Sequence, residues 1–266
     1  MRTMLPTLKL SSSTIHLWFS YPTAIRDQQL INEYIRLLNP AERIQWQRFR
    51  FAHLRHQYLI TRALVRSTLS RYTDVIKPDA WCFSKNKYGR PEILTTANIP
   101  PLRFNLSHTS DLIICGIVLQ QDIGVDVENI KRKNTSINIA DRFFSSQEIK
   151  DLHSVPEEKR LARFYDYWTL KESYIKARGM GLSLPLEHFT FHLSDHTEPL
   201  KISFAEQIND KPAHWQFWLL QPTQHHKVAV SIQQEAKVEH KLKFYNVVPL
   251  MEEQTFFCPI LNCSKH

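Results

Sequence analysis

The sequence predicts an α+β fold, because helical and strand spacings of apolar residues alternate in blocks along its 266 residues. Residues 28–72 and 156–178 carry apolar side chains at helical intervals. Residues 14–19, 104–128 and 188–232 instead hold short runs of β-branched and aromatic residues. Both halves of the chain therefore mix helices with strands. A chain of this length buries a substantial core, and length alone permits one domain or two.

The elements follow in order. Residues 14–19 read as a strand, after which Leu30, Ile31, Tyr34, Leu37 and Leu38 recur at helical spacing. Asn39-Pro40 starts a second helix, with Asn as N-cap and Pro at the first helical position. Residues 51–72 contain no Gly or Pro and place Leu54, Tyr58, Leu64, Val65 and Leu69 on one side, which predicts a long packing helix. Strands are expected at 81–83, 104–106, 112–119 and 123–128. The turn Gln120-Gln121-Asp122 marks the boundary between an N-terminal half, 1–122, and a C-terminal half, 123–233. Ser145-Ser146-Gln147-Glu148 has the form of a capping box. Pro156 with Glu157 and Glu158 opens a helix that runs to Arg178, and Gly179 stops it. Strands return at 188–193, 201–204, 215–220 and 228–232, leaving 234–266 as an extension with no assigned role.

Composition excludes several classes. Cys82, Cys115, Cys258 and Cys263 form no C-x-x-C pair and have no histidine at zinc spacing, which fits ordinary thiols in a reducing compartment; a disulfide or shared metal at Cys258 and Cys263 is the alternative. The N-terminus never develops the apolar stretch of a signal peptide, and the longest apolar run, 112–119, is far short of a membrane span. A cytoplasmic protein with no membrane partner is expected. The net charge of +8 calls for something anionic. The basic residues are scattered apart from Lys131-Arg132-Lys133, and no nucleic-acid-binding signature is present, so a nucleic-acid partner is not expected.

Two segments carry the chemistry. In Gly124-Val125-Asp126-Val127-Glu128, the two acids alternate with apolar residues, so on a strand both leave the same face and can converge on one ion. In the segment from Trp168 to Leu182, Glu172 adds a third carboxylate, and Lys176 lies one helical turn beyond it. Three carboxylates and a lysine can hold a divalent metal over a phosphate. The plainer alternatives are solvent-facing acids at a strand end and an ordinary salt-bridged helix face. Ser107-His108 invites a nucleophile reading, but adjacent strand residues point to opposite faces and no G-x-S-x-G elbow surrounds the serine.

These segments resemble the signatures of the Sfp-type 4′-phosphopantetheinyl transferases, G-(I/V)-D-(I/V)-E and W-x-x-K-E-(A/S)-x-x-K-x-x-G-x-G-L. Phe104-Asn105-Leu106-Ser107-His108-Thr109 and Tyr88-Gly89-Arg90-Pro91 match further stretches of the family in the same order, with a looser likeness over residues 48–66. The resemblance implies two similar α+β halves related by a pseudo-twofold, with the active site at their interface. It implies transfer of the phosphopantetheine arm of coenzyme A to a serine of an apo acyl or peptidyl carrier protein, releasing 3′,5′-ADP. Magnesium, with manganese as a substitute, is the expected ion on Asp126, Glu128 and Glu172, since it favours hard oxygen ligands. Lys176 would stabilise the same phosphate oxygens, and Glu172, directly or through a water, would take the serine proton. Ser107, His108, Arg90 and Arg48 match family positions at the coenzyme A phosphates and nucleotide. Glu148 matches an acid that follows a Phe-Phe-Ser, here Phe143-Phe144-Ser145, where a catalytic role competes with the capping box. A chain with both halves has little need of a partner subunit, so a monomer is expected. The rival readings are a metal-dependent pyrophosphohydrolase and a coenzyme A binding module without turnover.

Overall fold

The computed structural model describes residues 6–94, 99–132, 137–194, 198–234 and 238–264, and all but the side chain of Leu182 within them. Lys133 of the basic cluster lies outside the described residues. In chain order the first elements are β1 (Thr14–Ser20), α1 (Gln28–Leu37), α2 (Pro40–Arg48), α3 (Ala52–Leu69), β2 (Phe83–Lys85), β3 (Pro91–Ile93), β4 (Leu102–His108) and β5 (Ile113–Leu119). There follow β6 (Ile123–Asn129), α4 (Ala140–Phe143), α5 (Ser146–Ser154), α6 (Glu157–Arg178), β7 (Phe189–His192), β8 (Lys201–Phe204), β9 (Trp215–Thr223) and β10 (His226–Gln233). The chain ends with β11 (Lys241–Asn246), β12 (Gln254–Thr255) and β13 (Ile260–Cys263).

Side-chain caps set the helix starts. Asp27 accepts from Gln29 N and Leu30 N at α1, while Asn39 with Glu42 and Ser145 with Glu148 close capping boxes at α2 and α5. At the end of α6, Gly179 adopts the left-handed conformation (φ 62°, ψ 21°) and returns its N–H to the carbonyls of Ile175 and Lys176.

The chain forms two compact units. The first comprises 1–85, 91–120 and 241–257, with a sheet in the order β12-β11-β1-β5-β4. Its core gathers Trp18, Tyr34, Leu59, Leu64, Leu69 and Trp81. The second comprises 86–90, 121–240 and 258–266, with a sheet in the order β13-β9-β10-β6 and a core that includes Leu170, Tyr174, Phe189 and Phe217. The same wiring recurs in each: a first strand, a helical segment, then a hairpin whose second strand pairs antiparallel with the first strand.

Between β5 and β6 the units part after Gln120, a residue with φ 63° inside the expected boundary turn 120–122, two residues before the end of that turn. Nor do the described strands beyond 233 stand apart. β11 pairs in parallel with β1 from Thr14↔Lys241 to Phe19↔Asn246, and β13 pairs with β9, because each sheet offers these strands an edge to complete. All four cysteines are free thiols. Among the described residues no helix is long and apolar enough to cross a membrane.

Candidate active site

Gly124, Asp126 and Glu128 share one face of β6, and their register partners on β10, Ser231, Ala229 and Lys227, lie on that face too. α6 crosses it closely. A Cβ on Gly124 would run into the Ser173 carbonyl oxygen and stand 2.5 Å from Ala177 N, so the crossing needs a residue without a side chain. Beside it, Ser173 Oγ and Ser231 Oγ are 2.7 Å apart and fully buried. Further along the helix, Lys227 Nζ is 2.8 Å from Asp166 Oδ1.

This crossing brings the two motifs together. Lys176 Nζ lies 2.7 Å from Asp126 Oδ1, joining α6 to β6. Asp126 is buried, whereas Glu128, Glu172 and Lys176 are half-buried. Burial, reinforced by the charges of Asp126 and Glu172 and opposed by Arg132 and Lys176, pushes the Glu128 carboxyl up to about 7. Burial and the charge of Asp126 likewise raise Glu172, with Lys176 opposing. The three carboxylates thus feel one another. Among the described residues, however, no three Asp, Glu, His or Cys groups are drawn in as a cluster able to hold a metal ion. The donor set nonetheless fits a hard divalent cation, because such an ion would relieve the repulsion and desolvation that push Glu128 and Glu172 toward protonation.

Glu148 is engaged elsewhere. It is 0% exposed, and Lys171 Nζ stands 2.7 Å from its Oε2. The carboxylate also accepts the N–H groups of Ser145 and Phe191. Lys171 Nζ donates in addition to the carbonyls of Leu186 and Phe189, at 2.8 and 2.7 Å. Burial pushes Glu148 up and Lys171 down, and each holds the other's charge. A carboxylate so enclosed ties α5, α6 and β7 together, which is a packing role.

Arg90 docks on the C-terminal end of α6. Its Nη1 donates to Ala177 O at 2.8 Å and its Nη2 lies 3.2 Å from Asp122 Oδ1, while Asn86 Nδ2 donates to Gly179 O at 2.9 Å. A guanidinium suits the negative end of the helix dipole. A Cβ on Gly179 would stand 2.7 Å from the guanidinium carbon, a second reason for glycine there.

The remaining predicted residues belong to the first unit. Ser107 is buried in β4 opposite Ile114, His108 is exposed at the strand's end, and Arg48 is exposed at the last position of α2. The opposite exposure of Ser107 and His108 follows from strand alternation.

Sequence reasoning passed over Gly124, Ser173, Ser231, Asp166 and Lys227. The glycine opening the first motif was a legible signal for close backbone approach. The other four depend on the pairing of β10 with β6, which no local pattern encodes.

Residues 122–232 match the 4′-phosphopantetheinyl transferase superfamily, and residues 26–118 match the family described as 4′-phosphopantetheinyl transferase, N-terminal. The chain is 37% identical to 4′-phosphopantetheinyl transferase Sfp of Bacillus subtilis over 166 residues, 62% of this chain and 71% of the relative. It is 33% identical to 4′-phosphopantetheinyl transferase HetI of Nostoc over 200 residues, 75% of this chain and 82% of the relative. It is also 26% identical to the L-aminoadipate-semialdehyde dehydrogenase-phosphopantetheinyl transferase of Xenopus laevis over 218 residues, 77% and 72% of the two chains.

Proposed function

The chain belongs to the 4′-phosphopantetheinyl transferase superfamily, and we propose that Asp126, Glu128, Glu172 and Lys176 are where it carries out that family's reaction. The arm of coenzyme A passes to a serine hydroxyl of an apo carrier protein. The serine oxygen bonds to the phosphorus next to pantetheine, the bond to the bridging pyrophosphate oxygen breaks, and 3′,5′-ADP leaves. The observation that carries this assignment is the meeting of Lys176 with Asp126 at 2.7 Å on the face that also bears Glu128, with Glu172 in electrostatic reach.

Asp126, Glu128 and Glu172 would hold Mg²⁺ or Mn²⁺, which when bound supplies charge neutralisation at the pyrophosphate. Lys176 adds a cation for the same oxygens, and Glu172 receives the serine proton, directly or through a water. Arg48, Arg90, Ser107 and His108 supply cations and hydrogen-bond donors for the other coenzyme A phosphate and the nucleotide. Glu148 is assigned to packing. A cytoplasmic location is part of the proposal, as is a monomer, which is in keeping with a chain that carries both halves.

The test is intact-mass spectrometry of apo acyl and peptidyl carrier proteins incubated with this protein, coenzyme A and Mg²⁺, with a chelator control. A metal-dependent gain of one phosphopantetheine on the carrier serine is expected. Coenzyme A consumed without any gain would point to a pyrophosphohydrolase. Coenzyme A bound but intact would point to a binding module.

A further inference from the structure

The contact between α6 and the β6–β10 face contains two buried polar links that the proposed chemistry does not use. Asp166 and Lys227 are 5% and 6% exposed and meet at 2.8 Å, while Ser173 and Ser231 meet at 2.7 Å. The links lie about two helical turns apart on α6. On β10 they fall at Lys227 and Ser231, either side of Ala229, whose register partner is Asp126. Glu172 is the chain neighbour of Ser173, and Lys176 follows within a turn.

Two links at different heights fix both the advance of α6 along the sheet and its rotation. A buried ion pair gives little net stability compared with apolar groups of the same shape. Its energetic signature is asymmetric: an α6 slipped by a turn would leave both charges buried and separated, at a cost far above that of losing an apolar contact. The pair therefore penalises slipped arrangements while adding little to the native one. Gly124, with no tolerance for a side chain under the helix, limits the separation of helix and strand at the same crossing.

We infer that the Asp166–Lys227 pair, backed by Ser173–Ser231, is a register lock whose members are positioning residues holding Glu172 and Lys176 opposite Asp126. This rests on the proposed role of that cluster.

The experiment uses the full chain carrying Asp166→Leu with Lys227→Met, beside both single variants. The double variant is expected to fold, with kcat for transfer lowered by about tenfold or more and KM for coenzyme A changed by less than about twofold. Amide exchange across residues 172–178 should quicken while the first turns of α6 keep their protection. The exchanged pair, Asp166→Lys with Lys227→Asp, should recover part of the lost kcat. A folded double variant with wild-type kcat and wild-type exchange overturns the inference. Should it not fold, Ser173→Ala with Ser231→Ala opens the other link at the loss of two hydroxyls, and unchanged kcat and exchange there overturn it equally. If the wild-type chain transfers nothing to any carrier, the functional reading fails, and exchange at 172–178 alone decides the register lock.

Discussion

Lys176 Nζ stands 2.7 Å from Asp126 Oδ1, so the second motif's lysine spends its charge on the first motif's acid. A lysine one turn after a glutamate ordinarily invites a pair along its own helix. Here the short contact crosses from α6 to β6, which makes the two signatures one electrostatic unit.

Asp126→Ala and Glu172→Gln should each lower transfer to a carrier by about 10²–10⁴-fold, the range for losing an essential acid or base. Neither should unfold the protein, because the Lys176 side chain is 27% exposed and can return to water when Asp126 is gone. Steady-state transfer rates with thermal melts check both halves. A wild-type rate in either variant would remove that residue from the site.

Glu148→Gln should behave in the opposite way. Removing one charge of a buried pair leaves Lys171 enclosed without its partner, at a cost of about 3–5 kcal/mol. The expected outcome is a large fall in stability to denaturant, with activity per folded molecule closer to wild type than in Glu172→Gln. Equal activity losses in the two would place Glu148 in the chemistry after all.

Gly124→Ala adds a methyl group where backbone already stands. No rotamer change relieves contact with the Ser173 carbonyl and Ala177 N, so α6 must lift from β6, at about 1–3 kcal/mol or more. Transfer should fall further than stability, because the lift separates Lys176 and Glu172 from Asp126. A variant with wild-type melting and rate would show that the helix has room to move.

A fourth prediction concerns acid. His16, 1% exposed beneath Tyr72 and near Lys243, is held neutral, its pKa lowered from 6.5 to about 4 mainly by burial. The unfolded chain takes up a proton below 6.5 that the folded chain refuses until about 4. Stability from this group is therefore complete above pH 6.5 and falls as pH drops toward 4, by about 3 kcal/mol in all. Denaturant midpoints of wild type and His16→Gln across pH 4–7 should converge as the pH falls. Parallel curves would mean that His16 protonates freely in the folded state.

Much of this architecture was legible because the signals are local. The caps at Asn39 and Ser145 are chemical statements about the next three residues, and Gly179 states that the chain must leave the helix in a conformation other residues resist. Strand alternation placed Asp126 and Glu128 on one face. The meaning of Glu148 was only half visible. Its cap on Ser145 follows from spacing, while its partner Lys171 and the N–H of Phe191 arrive from distant elements. Arg90 is a similar case, since a cation in a turn carries no sign of the helix end it will meet. The tail was unreadable for the same reason: a strand that joins an existing sheet edge needs no period of its own beyond a few residues.

That tail has a consequence for biosynthesis. β11 is an inner strand of the first unit's sheet, between β12 and β1, although it is made after the whole of the second unit's β10. The sheet is complete only with β12 at Thr255, and β1 has no β11 beside it until Asn246 has been synthesised, so the first portion translated is among the last to finish folding. Until then β1 presents an open row of peptide groups beside Trp18 and Phe19, residues fully buried in the finished protein. A chain stopped before Lys241 would carry that edge permanently, and the expected fate is intermolecular strand pairing and loss to aggregation, even with every residue of the candidate active site present.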